Sequence, residues 1–362
     1  MARVDSTTNL VGGILLRKPM LVLLILILTC SNPAMVRAEN VSCLDADGKT
    51  VDWWLIYKFP KLSNKESKNG LGYAYADPNR HLEVAKNTLL EPSSLSVTLE
   101  QMYSNTCAGY LMWNDTPWGM LPSSSRAHSK GVMIFDQSQG CLIRHSVPQF
   151  PVKRDQYRQW FFSNRIYGQT LLCMSVSLDT LDQIALQYTI SKPYVYDSYV
   201  PHEISLVYKN LAYLKDGVRV DKRPSNAIKF VTIGSQGMID FAKSRRCSCD
   251  LWEDVISSEL KEGMNVLSWG RPLELSACPP KEKYPVQNVR SIRWGNGLFY
   301  AEEQEHSKWG LTISTNILCI GDINRMVSQR NRGGGATCFR HASLADAFKN
   351  LIASIEACKN TD

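Results

Sequence analysis

The tripeptide His-Ser-Lys occurs twice in this chain, at residues 128–130 and 306–308, roughly one copy in each half. In an extended segment, residues i and i+2 point to the same face, so the His and Lys of one copy can converge on one anion. Two copies brought together supply two imidazoles, of which one can attack phosphorus while the other protonates the leaving oxygen. One interpretation of the repeat is therefore an enzyme that cleaves a phosphodiester without a metal ion. The alternative is two surface tripeptides that match by chance.

Strand patterns surround both copies. Residues 132–135 form an unbroken apolar run directly after the first copy, and residues 311–317 behave similarly after the second. Residues 51–59 alternate apolar with other side chains, which predicts a further strand. Helices are predicted at residues 180–188 and, after a capping box at residues 343–346, at the C-terminus. Strands mixed with helices in each half predict an α/β fold.

The least regular stretch of the sequence, residues 192–221 with Pro193 and Pro201, is the predicted boundary between the halves. We therefore expect an N-terminal half at residues 39–200 and a C-terminal half at residues 201–362. No low-complexity segment interrupts either half.

The first 38 residues have the features of a secretory signal peptide. Arg17 and Lys18 precede an apolar core at residues 21–28, and residues 36–38 offer a small-x-small cleavage site. The core is shorter than the roughly 20 residues that span a bilayer, so we expect no stable membrane association after cleavage. The expected location is the secretory pathway, with the lysosome or the extracellular space as the destination.

Removal of that segment changes the cysteine count and the charge. It leaves ten of the eleven cysteines, an even number in an oxidising compartment. It also removes four basic residues and one acid, so the net charge falls from +7 to +4. This mild excess argues only weakly for a polyanionic partner. Two sequons predict glycosylation at Asn40 and Asn114.

Longer motifs accompany the repeat and relate the chain to known families. With them the chain resembles the deoxyribonuclease II family over nearly the whole length that follows the signal segment. The motifs are, in order, Val51-Asp52-Trp53-Trp54, His128-Ser129-Lys130-Gly131, His145-Ser146-Val147-Pro148, Tyr167-Gly168-Gln169-Thr170, Phe241-Ala242-Lys243, His306-Ser307-Lys308-Trp309, Gly321-Asp322-Ile323-Asn324-Arg325 and Arg332-Gly333-Gly334-Gly335.

The chain also resembles the wider phospholipase D superfamily. That superfamily carries His-x-Lys and an Asn eighteen residues after the His, a count that reaches Ser146 and Asn324 here. Its Asp five residues after the Lys is missing, since Phe135 and Ile313 occupy those places. The resemblance implies a phospholipase D-like α/β fold, with two pseudo-symmetric halves, mixed sheets flanked by helices and one shared active site.

The resemblance to deoxyribonuclease II implies an acid endonuclease. Its partner is double-stranded DNA, bound through the phosphate backbone with little sequence specificity, and its products carry 3′-phosphate and 5′-hydroxyl ends. We expect no metal and no other cofactor. His128 is assigned as the nucleophile and His306 as the general acid, while Lys130 and Lys308 neutralise the phosphate oxygens.

Supporting roles are predicted for three further residues: Asn324 and His145 to position the phosphate or a histidine, and Ser146 to accompany them. A turn-forming Asn and a structural His are the alternatives. Lys243, with the two arginines at residues 245–246, either contacts the DNA backbone or belongs to a solvated charge cluster. The turn at residues 332–335 either donates backbone N–H groups to an anion or is simply flexible.

The family resemblance also implies disulfide bonds. The implied pairs are Cys43–Cys173, Cys278–Cys358 and Cys319–Cys338. Four mature cysteines stay unassigned, and a zinc site built from them lacks paired C-x-x-C spacing. These four are Cys107, Cys141, Cys247 and Cys249.

Alternatives from other functional classes remain. A secreted DNA-binding or toxin-like relative with lost or altered catalysis is one, and a phosphatidyl-transferring phospholipase is a weaker one. Both His-x-Lys pairs being present favours the enzyme. Whether the chain is a monomer or a homodimer stays open.

Overall fold

Two large β-sheets carry the segments singled out by the sequence. The structure is a computed structural model that describes residues 40–104, 108–280 and 282–358. The predicted signal segment and Cys107 lie outside these ranges. No helix among the described residues combines the length and the apolar character needed to cross a bilayer.

The first large sheet is built from the N-terminal part of the described chain. A small two-stranded sheet, β1 (Cys43–Leu44) with β2 (Thr50–Val51), precedes it. Eight strands then form one sheet in the spatial order 10-6-7-8-9-3-4-5, with antiparallel pairing between the described neighbours. They are β3 (Trp53–Lys58), β4 (Tyr73–Asp77), β5 (Arg80–Val84), β6 (Gly109–Trp113), β7 (Gly131–Phe135), β8 (Gln139–His145), β9 (Gln169–Ser177) and β10 (Val195–Tyr199).

The second large sheet is built from the C-terminal part. Its nine strands run in the order 11-12-18-17-16-13-14-15, and the last strand, 19, pairs with 14. Strands 13 and 14 are parallel, so this sheet is mixed. The strands are β11 (Ser225–Val231), β12 (Gly237–Lys243), β13 (Met264–Leu267), β14 (Val286–Arg293), β15 (Phe299–Ala301), β16 (Trp309–Thr312), β17 (Ile317–Gly321), β18 (Gly334–Arg340) and β19 (Ile352–Ile355).

Six α-helices in the described part of the chain flank the sheets. They are α1 (Ser94–Ser104), α2 (Leu178–Ser191), α3 (His202–Val207), α4 (Lys209–Lys215), α5 (Ser258–Leu260) and α6 (Ala342–Leu351). Helix α2 begins where the Ser177 hydroxyl accepts the N–H of Thr180, and it ends at Lys192, whose left-handed backbone stops the helix. Together with the sheets, these helices make the chain an α/β protein, as predicted.

The two sheets repeat the same strand order. Neighbouring strands run β6-β7-β8-β9-β3-β4 in the first sheet and β13-β16-β17-β18-β12-β11 in the second. One His-Ser-Lys copy directly precedes β7 and the other directly precedes β16, which are matching strands. The two tripeptides therefore occupy equivalent places in two related sheets.

The hydrophobic core joins the sheets. Its largest cluster combines side chains of the first sheet, such as Trp53 and Leu172, with Trp309 and Phe339 of the second and Phe348 of α6. All six residues of β3 are buried although the sequence alternates there, because both faces of the first sheet are covered. A shared core fixes the two halves against each other.

A buried ion-pair network ties the sheets together beneath the tripeptides. Arg144 of β8 donates to Asp322 at 2.8 Å, to Asp240 at 2.6 Å and to the Thr337 hydroxyl at 3.1 Å. All four residues are at most 1% exposed. Removing one partner of such a buried pair costs about 3–5 kcal/mol, because the remaining charge stays buried without compensation.

Four disulfides occur among the described cysteines. Cys43–Cys173, Cys278–Cys358 and Cys319–Cys338 are the three pairs that the family resemblance implied. The fourth joins Cys247 to Cys249, two residues apart, and had no predicted partner. Cys141 is buried with a free thiol. The pair Cys319–Cys338 crosslinks β17 to β18 at directly opposite residues.

Some local predictions need correction. The predicted strand at residues 311–317 is a hairpin, in which β16 turns into β17. The C-terminal helix ends at Leu351, and the chain continues as β19 because it pairs with β14 there. The stretch 192–221 is more regular than predicted, since it contains β10, α3 and α4. The predicted helix at 180–188 and the strand at 132–135 are confirmed.

Candidate active site

Each His-Ser-Lys segment is held by a glycine of the opposite sheet. The backbone N–H of His306 donates to the carbonyl of Gly168, and that of His128 donates to the carbonyl of Gly333, both at 2.8 Å. The glycines directly precede β9 and β18, which are matching strands. A Cβ would collide with a carboxylate at Gly168 and with backbone atoms at Gly333. Glycine permits this close crossing, which brings the two tripeptides together.

Two buried lysines brace the loops that carry these glycines. Lys58 ends β3 and Lys243 ends β12, and each pairs with the residue that follows the glycine of its own sheet. Burial lowers the pKa of Lys58 to about 7 and that of Lys243 to about 8. Their ammonium groups donate at 2.6 to 3.1 Å to the carbonyls of Gly70, Asn164 and Arg165, and of Gln329, Arg330 and Arg332, respectively. Both alternatives for Lys243, a contact with DNA and a solvated charge cluster, are therefore wrong, because the side chain is buried and its donors are used inside the protein.

The middle serine of each tripeptide turns away from the site. Ser129 donates to Asp322 at 2.8 Å, and Ser307 donates to Glu305 at 2.5 Å. Both serines are fully buried. Because side chains alternate along an extended segment, the His and Lys on either side of each serine face the opposite way. A buried carboxylate thus fixes the orientation of each pair.

His128 lies among charged groups. Its Nδ1 is 2.5 Å from the carbonyl oxygen of Asp322, which can only accept, so Nδ1 carries a proton. Its Nε2 is 3.8 Å from Asp115, whose carboxylate also binds Lys130 at 2.6 Å and Arg332 at 2.8 Å. Burial and the charge of Lys130 lower the pKa of His128 well below its usual value, and Asp115 opposes this shift only in part. Burial raises the pKa of Asp115, but the neighbouring cations outweigh that effect and keep the carboxylate ionised.

His306 lies among aromatic rings. It stacks on Tyr167, with centroids 3.8 Å apart and planes 6° from parallel, and it meets Trp269 at 5.3 Å and 62°. Burial, followed by the positive charges of three lysines, lowers the pKa of His306 to about 3. Its Nε2 is buried without a hydrogen-bond partner among the described residues. The imidazole is therefore held neutral.

The flanking residues of the two histidines occupy matching positions. Asp115 stands two residues after the end of β6, and Trp269 stands two residues after the end of β13. Arg332 and Tyr167 each directly precede the glycine that crosses to the other half. The same backbone frame thus presents an ion pair to one histidine and two rings to the other.

The two lysines complete one electrostatic cluster. Lys130 is 3% exposed and Lys308 is 2% exposed. The charges of both lysines lower the pKa of both histidines. Burial and the charge of Lys130 lower the pKa of Lys308 to about 7. Four predicted site residues therefore meet in one place, where surplus positive charge suits a phosphate.

His145 and Ser146 are engaged inside the protein. His145 is fully buried, and its Nδ1 accepts the N–H of Val147 at 3.2 Å. Burial and the charge of Lys130 lower its pKa to about 3, so it stays neutral beside the cluster. Ser146 donates to the Gln169 side chain at 2.5 Å. That bond joins Ser146, which follows β8, to the first residue of β9. The supporting roles of His145 and Ser146 stay predictions.

The eighteen-residue count paired Ser146 with Asn324, but these two residues do not occupy equivalent positions in the two sheets. Ser146 receives the N–H of Thr170, and Asp322 receives that of Gly335, in the same place of the two sheets. The structural equivalent of Ser146 is therefore Asp322. The count fails because the hairpin after Lys308 is shorter than the hairpin after Lys130. Asn324 is buried, and its Oδ1 has no hydrogen-bond partner among the described residues.

Two other predictions concern backbone donors and glycans. The turn at 332–335 is occupied internally, since the N–H of Gly335 donates to Asp322 at 2.8 Å and that of Arg332 to Gln329 at 3.1 Å. Asn114 is fully buried, and its Nδ2 donates to the carbonyls of Val147 and Phe150 at 3.0 and 2.8 Å. The folded chain therefore has no room for the glycan predicted at Asn114. Asn40 is exposed and stays a predicted site.

Sequence reasoning missed the residues that distinguish the two histidines. Asp115 lies inside the second sequon, and Tyr167 and Trp269 lie far from both tripeptides in sequence. One signal was available in the sequence: the Asp that the superfamily carries five residues after the Lys is missing. Its absence implied that any carboxylate near a histidine must be supplied by another strand. Tyr167 belongs to the motif Tyr167-Gly168-Gln169-Thr170, in which only its position before Gly168 indicates that it lies at the site.

Metal ligands do not gather at the tripeptides. Within the described ranges, the group of three close potential ligands is Cys43, Cys141 and Cys173, and two of these are joined in a disulfide. A disulfide sulfur is not the thiolate that a metal needs. Beside the two histidines, positive charge is supplied by Lys130 and Lys308.

Known proteins are similar in sequence to this chain over most of its length. The family model for Deoxyribonuclease II matches residues 42–358. Plancitoxin-1 of Acanthaster planci is 31% identical over 350 residues, which cover 92% of this chain and 97% of that protein. Cell death-related nuclease 6 of Caenorhabditis elegans is 31% identical, covering 87% and 89%. Deoxyribonuclease-2-beta of Mus musculus is 29% identical, covering 88% and 93%.

Proposed function

Since the chain belongs to the deoxyribonuclease II family, we propose that it is an acid endodeoxyribonuclease that cleaves double-stranded DNA. The observation that carries this proposal is the single cluster formed by both His-Ser-Lys copies. The chain is a nuclease and thus a hydrolase, so a relative with lost catalysis is disfavoured, because both histidines and both lysines are present and close together. We expect contacts to the phosphate backbone, and hence little sequence specificity.

The surroundings of the histidines favour His306 as the nucleophile and His128 as the general acid, the reverse of the sequence-based assignment. A nucleophile must be neutral, and His306 has rings and three lysines around it but no carboxylate among the charges that shift its pKa. An acid must be protonated, and Asp115 is placed to stabilise the charged form of His128. A bound phosphate adds negative charge and favours that protonated form further.

The proposed reaction has two steps. His306 attacks phosphorus, a P–N bond forms, the P–O5′ bond breaks, and the proton of His128 passes to the 5′-oxygen. Water then attacks the phosphohistidine, the P–N bond breaks, and His128 takes up the proton of the water. The products carry a 3′-phosphate and a 5′-hydroxyl. Lys130 and Lys308 hold the phosphate oxygens in both steps, in place of a metal ion.

The acid optimum follows from the pKa directions. The pKa of His128 is lowered by burial and by Lys130, so the acid loses its proton as the pH rises towards neutrality. The alkaline limb of the rate profile therefore falls below pH 7. A bound phosphate raises the pKa of His128 again, and protonation of His306, whose pKa is lowered by burial and by the lysines, gives the acid limb.

The wider assignments follow from the family. We propose that the two sheets are phospholipase D-like halves at residues 39–200 and 201–362, and that residues 1–38 direct the chain into the secretory pathway, to the lysosome or outside the cell. The shared strand order and the paired glycines support two related halves.

A plasmid assay tests the function. Purified protein should nick supercoiled plasmid at pH 5 in excess EDTA, and the nicked ends should accept a 5′-kinase label without prior phosphatase treatment. The His306→Ala variant should be inactive under the same conditions. If cleavage requires added Mg²⁺, the two-histidine mechanism is wrong.

A further inference from the structure

A cavity of about 320 Å³ opens beside His128. Ala127, which precedes His128 in the chain, lines this cavity. Gly333, whose carbonyl accepts the backbone N–H of His128, lines it as well. Arg332 also lines it and binds Asp115, the carboxylate that faces His128. The cavity is therefore continuous with the catalytic cluster on the side of His128.

Positive charge dominates this cavity. Besides Arg332, six basic residues line it, and no acidic side chain is found among its described lining residues. The six are Arg126, Lys192, Arg219, Lys222, Arg245 and Arg246. Within the described part of the chain, none of these six has an ion pair with a carboxylate. A concave surface of one sign raises the local concentration of anions.

One of these cations, Arg219, is held in place by hydrogen bonds. The Arg219 guanidinium donates to the carbonyls of Asp221 and Arg223, both at 3.1 Å. Burial and the nearby charge of Arg246 lower the pKa of Arg219, which shows that like charges are crowded here. The disulfide between Cys247 and Cys249 closes the loop directly after Arg246. An anion that binds between crowded cations offsets the repulsion between them, which lowers the free energy of the site.

We propose that this cavity binds the DNA phosphate next to the scissile one on its 3′ side. The inference rests on the proposed function, in which His128 protonates the departing 5′-oxygen. The nucleotide that begins at that oxygen lies beside His128, and its own 3′-phosphate is the next anion along the strand. The cavity lies on that side.

The other flank of the cluster supports this polarity. In place of Asp115 and Arg332, the side of His306 presents Trp269 and Tyr167. Rings stack with bases or sugars and offer no charge to a phosphate. The strand is therefore gripped by charge on its 3′ side and by aromatic surface on its 5′ side.

A triple variant that removes three positive charges tests the cavity. Lys222→Gln, Arg245→Gln and Arg246→Gln remove exposed cations that have no side-chain bond to other described residues. The matched control is Lys65→Gln with Lys86→Gln and Lys349→Gln, three exposed cations far from the cavity in sequence and absent from its lining. Affinity is measured by fluorescence anisotropy on a short DNA duplex in a His306→Ala background, so that no cleavage occurs.

We expect the triple variant to lose about tenfold in duplex affinity and to reduce the slope of log affinity against log salt by about 1 to 2, because each phosphate contact contributes about 0.9. With His306 restored, the KM for the duplex should rise in the same proportion. The rate on thymidine 3′-(4-nitrophenyl phosphate), which lacks a second phosphate, should be unchanged. Affinity and slope equal to those of the control would overturn the inference.

A modified duplex tests the polarity. Because binding has no fixed register, cleavage is mapped bond by bond on an end-labelled duplex. A methylphosphonate that neutralises the phosphate on the 3′ side of a given bond should slow cleavage of that bond by the same factor as the triple variant, and the two changes together should add little. The same modification on the 5′ side should have a smaller effect. An effect confined to the 5′ side would refute the assigned side. Failure of the wild type to cleave either substrate would instead refute the proposed function, since binding is measured separately.

Discussion

The two halves of the active site share a backbone and differ in what surrounds the histidine. Each half offers a His-Ser-Lys segment before a matching strand, a serine bound to a carboxylate, a crossing glycine and a lysine that braces the glycine loop. His128 faces an ion pair of Asp115 with Arg332, whereas His306 faces Trp269 and Tyr167.

This difference teaches how a repeated motif acquires two roles. A symmetric pair of imidazoles would titrate alike and leave neither role assigned. A carboxylate beside one of them opposes the effect of burial on its pKa, whereas no carboxylate opposes burial at the other. In the proposed mechanism, two positions per half, after the strand and before the glycine, separate the acid from the nucleophile.

The largest expected effect separates the two histidines by substrate. His306→Ala should reduce cleavage of DNA and of thymidine 3′-(4-nitrophenyl phosphate) by about 10⁴-fold or more, because no covalent step is left. His128→Ala should be as inactive on DNA, but it should still release nitrophenolate in the first turnover, since that leaving group needs no proton. Stopped-flow absorbance measures the release. Equal loss of the burst in both variants would break the comparison.

The lysines should matter next. Lys130→Ala and Lys308→Ala should each slow DNA cleavage by about 10²–10³-fold, the usual loss when one preorganised charge-stabilising donor is removed. Excess EDTA should leave the wild-type rate unchanged. Initial rates on a labelled duplex at pH 5, with Lys349→Ala as the matched control, decide this. Rescue of either variant by Mg²⁺ would show that the lysines do not stand in for a metal.

The crossing glycines should transmit damage to the opposite half. Gly333→Ala displaces the backbone of His128, and Gly168→Ala displaces that of His306. Each costs about 1–3 kcal/mol of stability through overpacking. Gly333→Ala should slow DNA cleavage more than the nitrophenyl burst, whereas Gly168→Ala should slow both alike. Gly237→Ala, in open space, serves as the control. An identical pattern in the two variants would remove the claimed cross-connection.

The smallest expected effect is a shift in pH dependence. Asp115→Asn removes the charge that raises the pKa of His128, so the alkaline limb should move to lower pH. The acid limb, set by His306, should stay in place. The measurement is kcat/KM between pH 3 and pH 8. Movement of the acid limb alone would mean that His128 is the nucleophile.

The sequence predicted the features that the two halves of the candidate site share more fully than the residues in which they differ. The repeated tripeptide identified both histidines and both lysines, because it is local and because strand periodicity fixes which side chains share a face. Counting eighteen residues onward failed at Asn324, since two hairpins of unequal length separate equivalent places. Spacing along a chain does not measure position across a sheet.

Residues that act through tertiary contacts were beyond reach. Asp115 and Trp269 are equivalent only once β6 and β13 are paired with their neighbours. Lys243 read as a surface charge because nothing local shows that three carbonyls of a distant loop surround it. The glycan predicted at Asn114 failed for the same reason, since the sequon is local and the burial is not.

The central claim is that His306, and not His128, carries the covalent intermediate. The His128→Ala variant lacks the group that activates water, so the intermediate should accumulate after reaction with thymidine 3′-(4-nitrophenyl phosphate). Quenching in base, which preserves phosphohistidine, followed by proteolysis and mass spectrometry locates the adduct. The account predicts phosphothymidine on the peptide that contains His306, and none in His306→Ala. An adduct on His128 in the His306→Ala variant would contradict it.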